Sequence, residues 1–293
     1  MTAVGTRPSG AGANVVSVDE AIRALRADRR HAALVRDAYL GRDVQDSAQR
    51  FAASGEWKAV RRLLTGRLEG ATVVDVGAGS GIASVAFARA GAARVVAVEP
   101  DPSEEVGLGA IRRQSAPPSV EIVGAFGEGI PLPDGCADIA YCRQVLHHAD
   151  DLDGMVAEMA RVLRPGGLFV ACREHVVDDE GQLAVFLAAH PVHRLAGGEH
   201  AYPLDAYRAA IAAAGLHLTL ELGPWDSIVN AFPVVRSGKA LRRYPHTWLA
   251  ARYGRLGRIV ARAGFVRRWA WRRIRQPTPG RLYSFIAVLE ADA

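Results

Sequence analysis

The sequence predicts an α/β fold in which a mostly parallel sheet is covered by crossover helices. From Thr72 onward, short apolar runs rich in valine alternate with helix-like runs, which is typical of such sheets. The first run ends at three glycines spaced two residues apart, Gly77, Gly79 and Gly81, and an alanine-rich helical pattern follows at once. With 293 residues the chain can bury one large core and carry a small accessory unit.

The apolar runs predict seven strands, and the segments between them predict helices. The predicted strands are 72–76, 94–98, 119–123, 138–142, 167–173, 217–222 and 281–289. The predicted helices are 80–90, 103–114, 152–163 and 204–214, and Gly215 ends the last of them.

Two segments precede the first strand. Residues 1–14, with their Gly, Ala, Ser and Pro, predict a disordered lead-in, and residues 15–64 predict an N-terminal helical cap. The cap has two interpretations: a helical layer packed on the main domain, or a lid that brings Tyr39, Phe51 or Trp57 near a ligand. The main domain is predicted to span 65–293.

The composition excludes several classes of protein. An apolar run of about 18 residues, as a membrane-spanning helix needs, is absent from the sequence, and residues 1–14 lack the apolar region of a signal peptide. The three cysteines, Cys136, Cys142 and Cys172, have no zinc-site spacing, so we expect reduced thiols and a cytoplasmic protein.

The net charge of +5 is unevenly distributed. Residues 227–289 hold 14 Arg or Lys and no Asp or Glu, while the remaining residues hold 22 basic and 31 acidic side chains. Most of this basic run lies in a long insertion, 223–280, which we expect to form its own helices. A helical pattern covers 248–274, with Gly254, Gly257 and Gly264 as weak points.

The glycine-rich turn predicts a cofactor site. Its pattern, Asp75-x-Gly77-x-Gly79-x-Gly81, departs from the dinucleotide fingerprint, which requires glycine or alanine where Ile82 stands. The second strand ends at Glu99, and an acid at that point can accept hydrogen bonds from both hydroxyls of a ribose.

Three later segments add to this pattern. Ile-Pro-Leu-Pro-Asp-Gly-Cys-Ala-Asp occupies 130–138, Val-Leu-His-His occupies 145–148, and Arg-Val-Leu-Arg-Pro-Gly-Gly occupies 161–167. With the glycine turn and Glu99, they make residues 57–222 and 281–289 resemble the class I S-adenosylmethionine (SAM)-dependent methyltransferases. The resemblance implies a Rossmann-like, seven-stranded, mostly parallel sheet with an antiparallel last strand, and SAM as cofactor.

The resemblance also implies which residues bind SAM. The glycine turn would hold the methionine end, and Glu99 the ribose. Phe126 stands where relatives often carry an acid that binds the adenine. Stacking by Phe126 together with the Gly127 backbone, or else Glu128, would take the place of that acid. The implied cofactor-binding residues are Asp75, Gly77, Ala78, Gly79, Gly81, Glu99, Pro100, Asp101, Phe126, Gly127, Glu128, Cys142 and Arg143.

Histidines past the fourth strand suggest acid–base chemistry, since a hydroxyl acceptor must lose a proton near neutral pH. We predict His148 as the general base and His147 as a positioning residue; the alternative is a structural pair. Glu174 and His175 follow the fifth strand and face the same side, where they orient the base, bind substrate or hold a metal. Further candidate ligands are His190, His193, Glu199 and His200. No metal site is predicted, because neither HExxH nor a regular ligand spacing is present.

The topology of the family predicts where the two insertions lie. Because the last strand runs antiparallel, the insertions 174–203 and 223–280 both wall the substrate pocket. The basic segment 236–275 has three interpretations: a solvated or inter-subunit face of a homo-oligomer, a site for an anionic substrate, or a peripheral contact with an anionic membrane. Nucleic acid is not expected, because no RNA-binding module is recognisable.

The predicted function is methyl transfer from SAM to a small molecule, at a hydroxyl, in secondary-metabolite or glycan biosynthesis. A lipid or membrane-associated substrate is compatible with the basic segment. The alternatives are N- or C-methylation, and a SAM-fold protein that transfers no methyl group and acts as a cyclase or binding partner.

Overall fold

A seven-stranded sheet forms the centre of the computed structural model, which describes residues 16–189 and 200–290. Its strand order is β3-β2-β1-β4-β5-β7-β6; β1 to β5 pair in parallel, whereas β7 is antiparallel to β5 and β6. The predicted fold class is therefore confirmed. The strands are β1 Thr72–Val76, β2 Arg94–Val98, β3 Val120–Val123, β4 Ala137–Arg143, β5 Leu163–Val176, β6 Leu216–Leu222 and β7 Arg281–Leu289. The predicted lead-in 1–14 lies outside the described residues.

Twelve α-helices are found in the described residues. They are α1 Val18–Ala27, α2 Ala32–Asp37, α3 Val44–Ala53, α4 Gly55–Leu63, α5 Ile82–Arg89, α6 Leu108–Arg112, α7 Leu152–Arg161, α8 Glu180–Ala189, α9 Leu204–Ala213, α10 Ile228–Ala231, α11 Gly238–Val260 and α12 Gly264–Ile274. The predicted helix 103–114 is too long, because the Ser103 hydroxyl accepts the N–H groups of Glu105 and Val106 and holds a loop ahead of α6. Within 16–189 and 200–290, no helix is both long enough and apolar enough to cross a membrane.

Aromatic side chains join the N-terminal helices to one face of the sheet. Tyr39, Phe51 and Trp57 are buried in one cluster with Phe87 of α5 and Tyr141 of β4. Neighbouring rings are in contact, with 5.4 Å between the centroids of Tyr39 and Phe51 and 5.0 Å between those of Trp57 and Phe87. These contacts favour the packed layer over the lid for the three aromatic residues.

Helix α1 contacts the loop that follows β2. Its Asp19 carboxylate accepts a hydrogen bond from the Ser103 hydroxyl and another from the backbone N–H of Glu105. Arg23 and Arg26 both pair with the Glu105 carboxylate. The N-terminal helix is therefore fixed beside the carboxyl end of β2, where Glu99 lies.

A bulge in β5 decides which side chains reach each face of the sheet. Ala171 pairs with Phe285 of β7, but the next pair is Glu174 with Tyr283, so β5 holds one extra residue. That residue is Arg173, whose φ is 65°. The bulge sends the Arg173 side chain toward Glu56 of α4 and leaves Glu174 on the opposite face, beside Cys142.

The basic insertion forms a helical hairpin with a small core of its own. Helix α11 bends at Gly254, where φ is 57°, and a Cβ on Gly257 would lie 2.0 Å from the Leu249 carbonyl oxygen. Leu249, Ala261 and Ala270 are buried together between α11 and α12. The bend thus occurs at one of the predicted weak points.

Candidate cofactor and active site

The turn between β1 and α5 needs its glycines for two different reasons. Gly77, Gly79 and Gly81 have φ of 63°, 55° and 77°, in the left-handed region that side chains disfavour. A Cβ on Gly77 would lie 2.5 Å from a Val145 methyl group, whereas one on Gly79 would meet nothing closer than the Val106 carbonyl oxygen at 3.6 Å. Gly77 therefore allows close packing, and Gly79 leaves open space in front of the turn.

Glu99 is the acid at the end of β2, and its carboxylate holds the glycine turn. Its two oxygens accept the backbone N–H groups of Gly79 at 2.7 Å and Asp101 at 2.9 Å. Burial raises the pKa of Glu99 to about 7, against the lowering effect of these two hydrogen bonds. Each oxygen keeps a second lone pair, so the group can accept two further hydrogen bonds from a diol.

The remaining residues at this end of β2 are partly accessible. Pro100 and Asp101 are both half-buried. Asp101 accepts the backbone N–H of Ser103 through its side chain, and burial raises its pKa. Both residues directly follow Glu99 at the carboxyl end of β2.

Asp75 ties the glycine turn to the helix behind it. Its carboxylate accepts the Ser84 hydroxyl of α5 at 2.5 Å, and burial raises the pKa of Asp75 to about 7. Ala78 donates its N–H to the Val98 carbonyl at 3.0 Å and packs against Ala97 of β2. Together these contacts fix the turn to β1, β2 and α5.

The segment after β3 reaches the same edge of the sheet. Gly127 is buried so tightly that a Cβ there would lie 2.9 Å from Met155 and 3.0 Å from Val76 at the end of β1. Its neighbours Phe126 and Glu128 are half-buried. The segment after β3 therefore packs against the end of β1 through Gly127.

Cys142 and Arg143, two of the implied cofactor-binding residues, have side chains that make contacts elsewhere. The buried Cys142 thiol lies 3.8 Å from the Glu174 carboxylate, and burial raises its pKa well above the usual range. Arg143 pairs with Glu56 at 2.6 Å and lies over the Tyr39 ring. If these two residues contact a cofactor, their backbone atoms make the contact.

Sequence reasoning missed the buried ionic cluster beneath the site. The fully buried Glu56 carboxylate lies 2.6 Å from Arg143 and 3.7 Å from Arg173. Burial lowers the pKa of the Arg173 guanidinium, which also donates to the backbone carbonyls of Val229 and Phe232. The signal was present in the sequence, since each arginine directly follows an apolar run that ends in cysteine.

Glu174 organises the loop that follows β4. Its buried carboxylate accepts the backbone N–H of Val145 at 3.2 Å, the backbone N–H of His147 at 3.2 Å, and the ring Nδ1 of His147 at 2.9 Å. With Glu174 ionised, Nδ1 of His147 carries the donated proton and Nε2 remains an acceptor. The carboxylate thus fixes both the position and the tautomer of His147.

Three histidine rings meet at this point. The ring centroid of buried His147 lies 4.3 Å from that of His148 and 4.7 Å from that of His175. His148 is exposed, whereas Nδ1 of His175 lies 2.7 Å from the Gly280 carbonyl oxygen at the end of the basic insertion. The structure therefore brings together the four residues predicted for catalysis.

Of the other candidate ligands, only His200 lies within the described residues. His190, His193 and Glu199 lie outside the described residues, and His200 is exposed next to them. Within the described ranges, no group of three or more His, Cys, Asp or Glu residues has the arrangement of a metal site.

A basic cavity of about 500 Å³ lies between α2–α4 and the start of the insertion. Tyr39 and Phe232 stack with 6.1 Å between their ring centroids and line it, together with one acid, Asp37. Its basic lining residues are Arg36, Arg50, Lys58, Arg62 and Arg236. Asp37 pairs with both Arg36 and Arg236, so the lining keeps a clear excess of positive charge.

Comparison with known proteins connects this geometry to one family. The family described as "Methyltransferase domain" matches residues 74–171. A ubiquinone biosynthesis O-methyltransferase of Rhizobium johnstonii is 30% identical over 161 residues, which cover 53% of this chain and 64% of that protein. An uncharacterized methyltransferase of Mycobacteroides abscessus is 41% identical over 103 residues, which cover 35% of this chain and 39% of that protein. The chain thus spans less than two thirds of either relative.

A solved structure shares the fold. The SAM-dependent methyltransferase of Mesorhizobium loti superposes with a TM-score of 0.53 at 18% identity, covering 80% of this chain and 98% of that one. The matched residues 74–171 contain the glycine turn, Glu99 and both histidines that follow β4. Residues 74–171 therefore form a methyltransferase domain of the class I SAM-dependent type, and the cofactor of that family is SAM.

Proposed function

We propose that the protein transfers a methyl group from SAM to a hydroxyl of a small-molecule acceptor. The observation that carries this proposal is the Glu174–His147–His148 cluster, which lies at the same sheet edge as Glu99 and the glycine turn. One side of the edge offers acceptors for a ribose and open space for a cofactor, and the other offers imidazoles for a proton.

The cofactor site fits SAM on the chemistry of its donors and acceptors. SAM supplies the electrophilic methyl group, which leaves alignment and proton transfer to the protein. Glu99 binds the ribose hydroxyls, and the space in front of Gly79 receives the methionine end. Asp75 keeps the turn in place through Ser84. Pro100, Asp101 and Phe126 border the adenine.

Within the histidine cluster, we assign the role of general base, which accepts the proton of the acceptor hydroxyl, to His148. Its ring is exposed and can contact an acceptor hydroxyl, whereas His147 is buried and held by Glu174. His147 and His175 are positioning residues that pack beside the base. General-base catalysis of this kind contributes roughly 10²–10⁴-fold in rate.

The excess of arginine in the insertion 223–280, which follows β6 on the substrate side of the sheet, favours an acceptor that carries negative charge, such as a phosphate or carboxylate. A hydroxylated secondary metabolite or glycan precursor fits these requirements, and the name of the Rhizobium relative supports O-methylation. We place the reaction in the cytoplasm, in keeping with three unpaired cysteines.

Methyl transfer from labelled SAM to a panel of hydroxyl, amine and carbon acceptors tests the proposal. Label on a hydroxyl is the expected result, and His148→Gln should reduce turnover at neutral pH by roughly 10²-fold or more. The matched control is His217→Gln, an exposed histidine on β6.

Other outcomes assign other functions. Label only on an amine or carbon replaces O-methylation by N- or C-methylation. Tight SAM binding with no label on any acceptor class favours a protein without methyl transfer, such as a cyclase or binding partner. If His217→Gln and His148→Gln behave alike, His148 is not the base.

A further inference from the structure

Five large apolar side chains of the basic hairpin are exposed. We define the apolar tip as Tyr253, Leu256, Ile259, Phe265 and Trp269. Phe265 is 69% exposed, Leu256 64% and Ile259 62%, while Trp269 and Tyr253 are 40% and 44% exposed. Exposing several large apolar side chains to water is unfavourable. Exposed apolar patches on a protein surface therefore normally mark an interaction site.

The tip is exposed on a packed scaffold. Leu249, Ala261 and Ala270 fill the space between α11 and α12, with Trp248 and Ile274 packed around them. Arg267 donates to the backbone carbonyls of Ala261 and Arg262 and so closes the end of α11. The tip side chains therefore extend from two helices that are packed against each other.

Arginines surround the tip without any acidic counterpart. Residues 252–273 contain eight arginines and neither Asp nor Glu. Among the described residues, none of these eight pairs with a carboxylate, although ion pairs do occur nearby at Arg236 and Arg275. Arg252 lies over Trp248, and Arg273 over Trp269, with 5.8 Å and 5.7 Å to the ring centroids. Their charge remains available to an anionic partner.

We propose that the apolar tip docks on an anionic lipid bilayer. Leu256, Ile259 and Phe265 enter the boundary between headgroups and acyl chains, and the arginines contact the lipid phosphates. Trp269 takes the interfacial position that tryptophan favours in membranes. Charge complementarity selects this occupant: nucleic acid satisfies the arginines but leaves the apolar tip in water, and a second copy brings another positive surface to the same place.

Docking places the substrate edge of the sheet near the bilayer. The hairpin connects β6 with β7, and these strands are antiparallel, so it leaves the sheet at the carboxyl end of β6. His175 is bonded to Gly280, where the insertion returns to β7. The inference concerns binding alone and does not rest on the proposed methyl transfer.

Vesicle co-sedimentation of the full chain tests the docking. We expect binding to vesicles with about 30% phosphatidylglycerol at low salt, and at least about ten-fold weaker partition onto pure phosphatidylcholine. Raising the salt to about 0.5 M should also weaken binding about ten-fold, because it screens the arginines.

A pair of double variants separates the tip from general surface hydrophobicity. Leu256→Ser with Phe265→Ser should lower partition onto anionic vesicles at least about ten-fold, since two interfacial anchors are lost. The control, Val185→Ser with Val234→Ser, removes apolar side chains that are 58% and 61% exposed away from the tip, and should leave partition unchanged. Circular dichroism and thermal melting verify that both variants are folded.

Three results overturn the proposal. The first is a wild-type protein that does not bind anionic vesicles at low salt. The second is an equal loss of binding in the tip variant and its control. The third is a wild-type dimer that becomes a monomer in the tip variant while neither binds vesicles, which assigns the surface to a second copy of the chain.

Discussion

The buried carboxyl of Glu99 predicts that affinity for SAM depends on pH. Its pKa in the ligand-free protein is about 7, because burial disfavours the charged form. Ribose hydroxyls donate hydrogen bonds, so they bind the ionised carboxylate and compete with its proton. Below the pKa, each unit of pH therefore weakens binding by up to about ten-fold, and the dissociation constant should rise about ten-fold from about pH 8 to about pH 6.

Isothermal titration with S-adenosylhomocysteine, the demethylated cofactor, measures this dependence. Glu99→Gln removes the ionisable group, so its dissociation constant should stay flat over this pH range. At about pH 8 it should exceed the wild-type value by roughly 10- to 100-fold, because hydrogen bonds to a charged acceptor contribute about 1.5–3 kcal/mol.

Asp75→Asn is the matched control. Asp75 is equally buried and its pKa is also about 7, but its carboxylate bonds Ser84 rather than the open space of the site. This variant should keep the pH dependence of binding. The reasoning is refuted if Glu99→Gln keeps that dependence, or if wild-type affinity is the same at both pH values.

Four further predictions concern stability and turnover. Asp75 and Glu99 have folded pKa values of about 7, raised from 3.8 and 4.5. Their contribution to stability is present below about pH 4 and is lost as the pH rises through about 7. The melting temperature of the ligand-free protein should therefore decrease as the pH is raised over this range. A melting temperature that does not change with pH would contradict the assignment. Glu56→Gln should cost about 3–5 kcal/mol in urea unfolding, since it strands two buried arginines, whereas Glu121→Gln at an exposed pair with Arg94 should cost less than about 1 kcal/mol. Glu174→Gln should lower kcat at least about ten-fold with little change in cofactor affinity, because His147 loses its fixed tautomer; equal kcat would remove that positioning role. Lys58→Gln with Arg62→Gln should leave KM for the acceptor unchanged, because the cavity that these residues line contains no residue of the glycine turn or the histidine cluster; a clear rise in KM would assign the cavity to the acceptor.

Local sequence signals predicted the central sheet well. Strands β1, β2 and β7 have the predicted bounds, because each apolar run is closed by a polar or glycine residue at both ends. Strand β5 was predicted as 167–173, but it extends over Leu163–Val176. The prediction stopped too early because Glu174 and His175 are polar, whereas burial by neighbouring elements keeps them in the strand.

The arrangement within the site could be predicted only in part. The position of Glu99 at the end of β2 follows from strand length alone, since carboxyl ends of parallel strands share one edge. The partner of Glu174 depends on the bulge at Arg173, and a single sequence does not reveal a bulge. The Glu56–Arg143 pair joins residues 87 positions apart, and such pairing appears only after the helices have packed.

The structure of the basic insertion could also be predicted only in part. Its helices and the weak point at Gly254 follow from local pattern and were predicted. Which apolar side chains it exposes depends on how α11 and α12 pack, because Leu249 is buried and Leu256 is not. Periodicity alone could not distinguish these two leucines.

A crystal structure of the protein with S-adenosylhomocysteine tests the central claim most directly. We predict that both ribose hydroxyls lie about 2.7 Å from the Glu99 carboxylate oxygens. The methionine end should occupy the space in front of Gly79, with the sulfur facing the side of the edge where His148 lies. A ribose bound away from Glu99, or a cofactor outside the glycine turn, would contradict this assignment of the site.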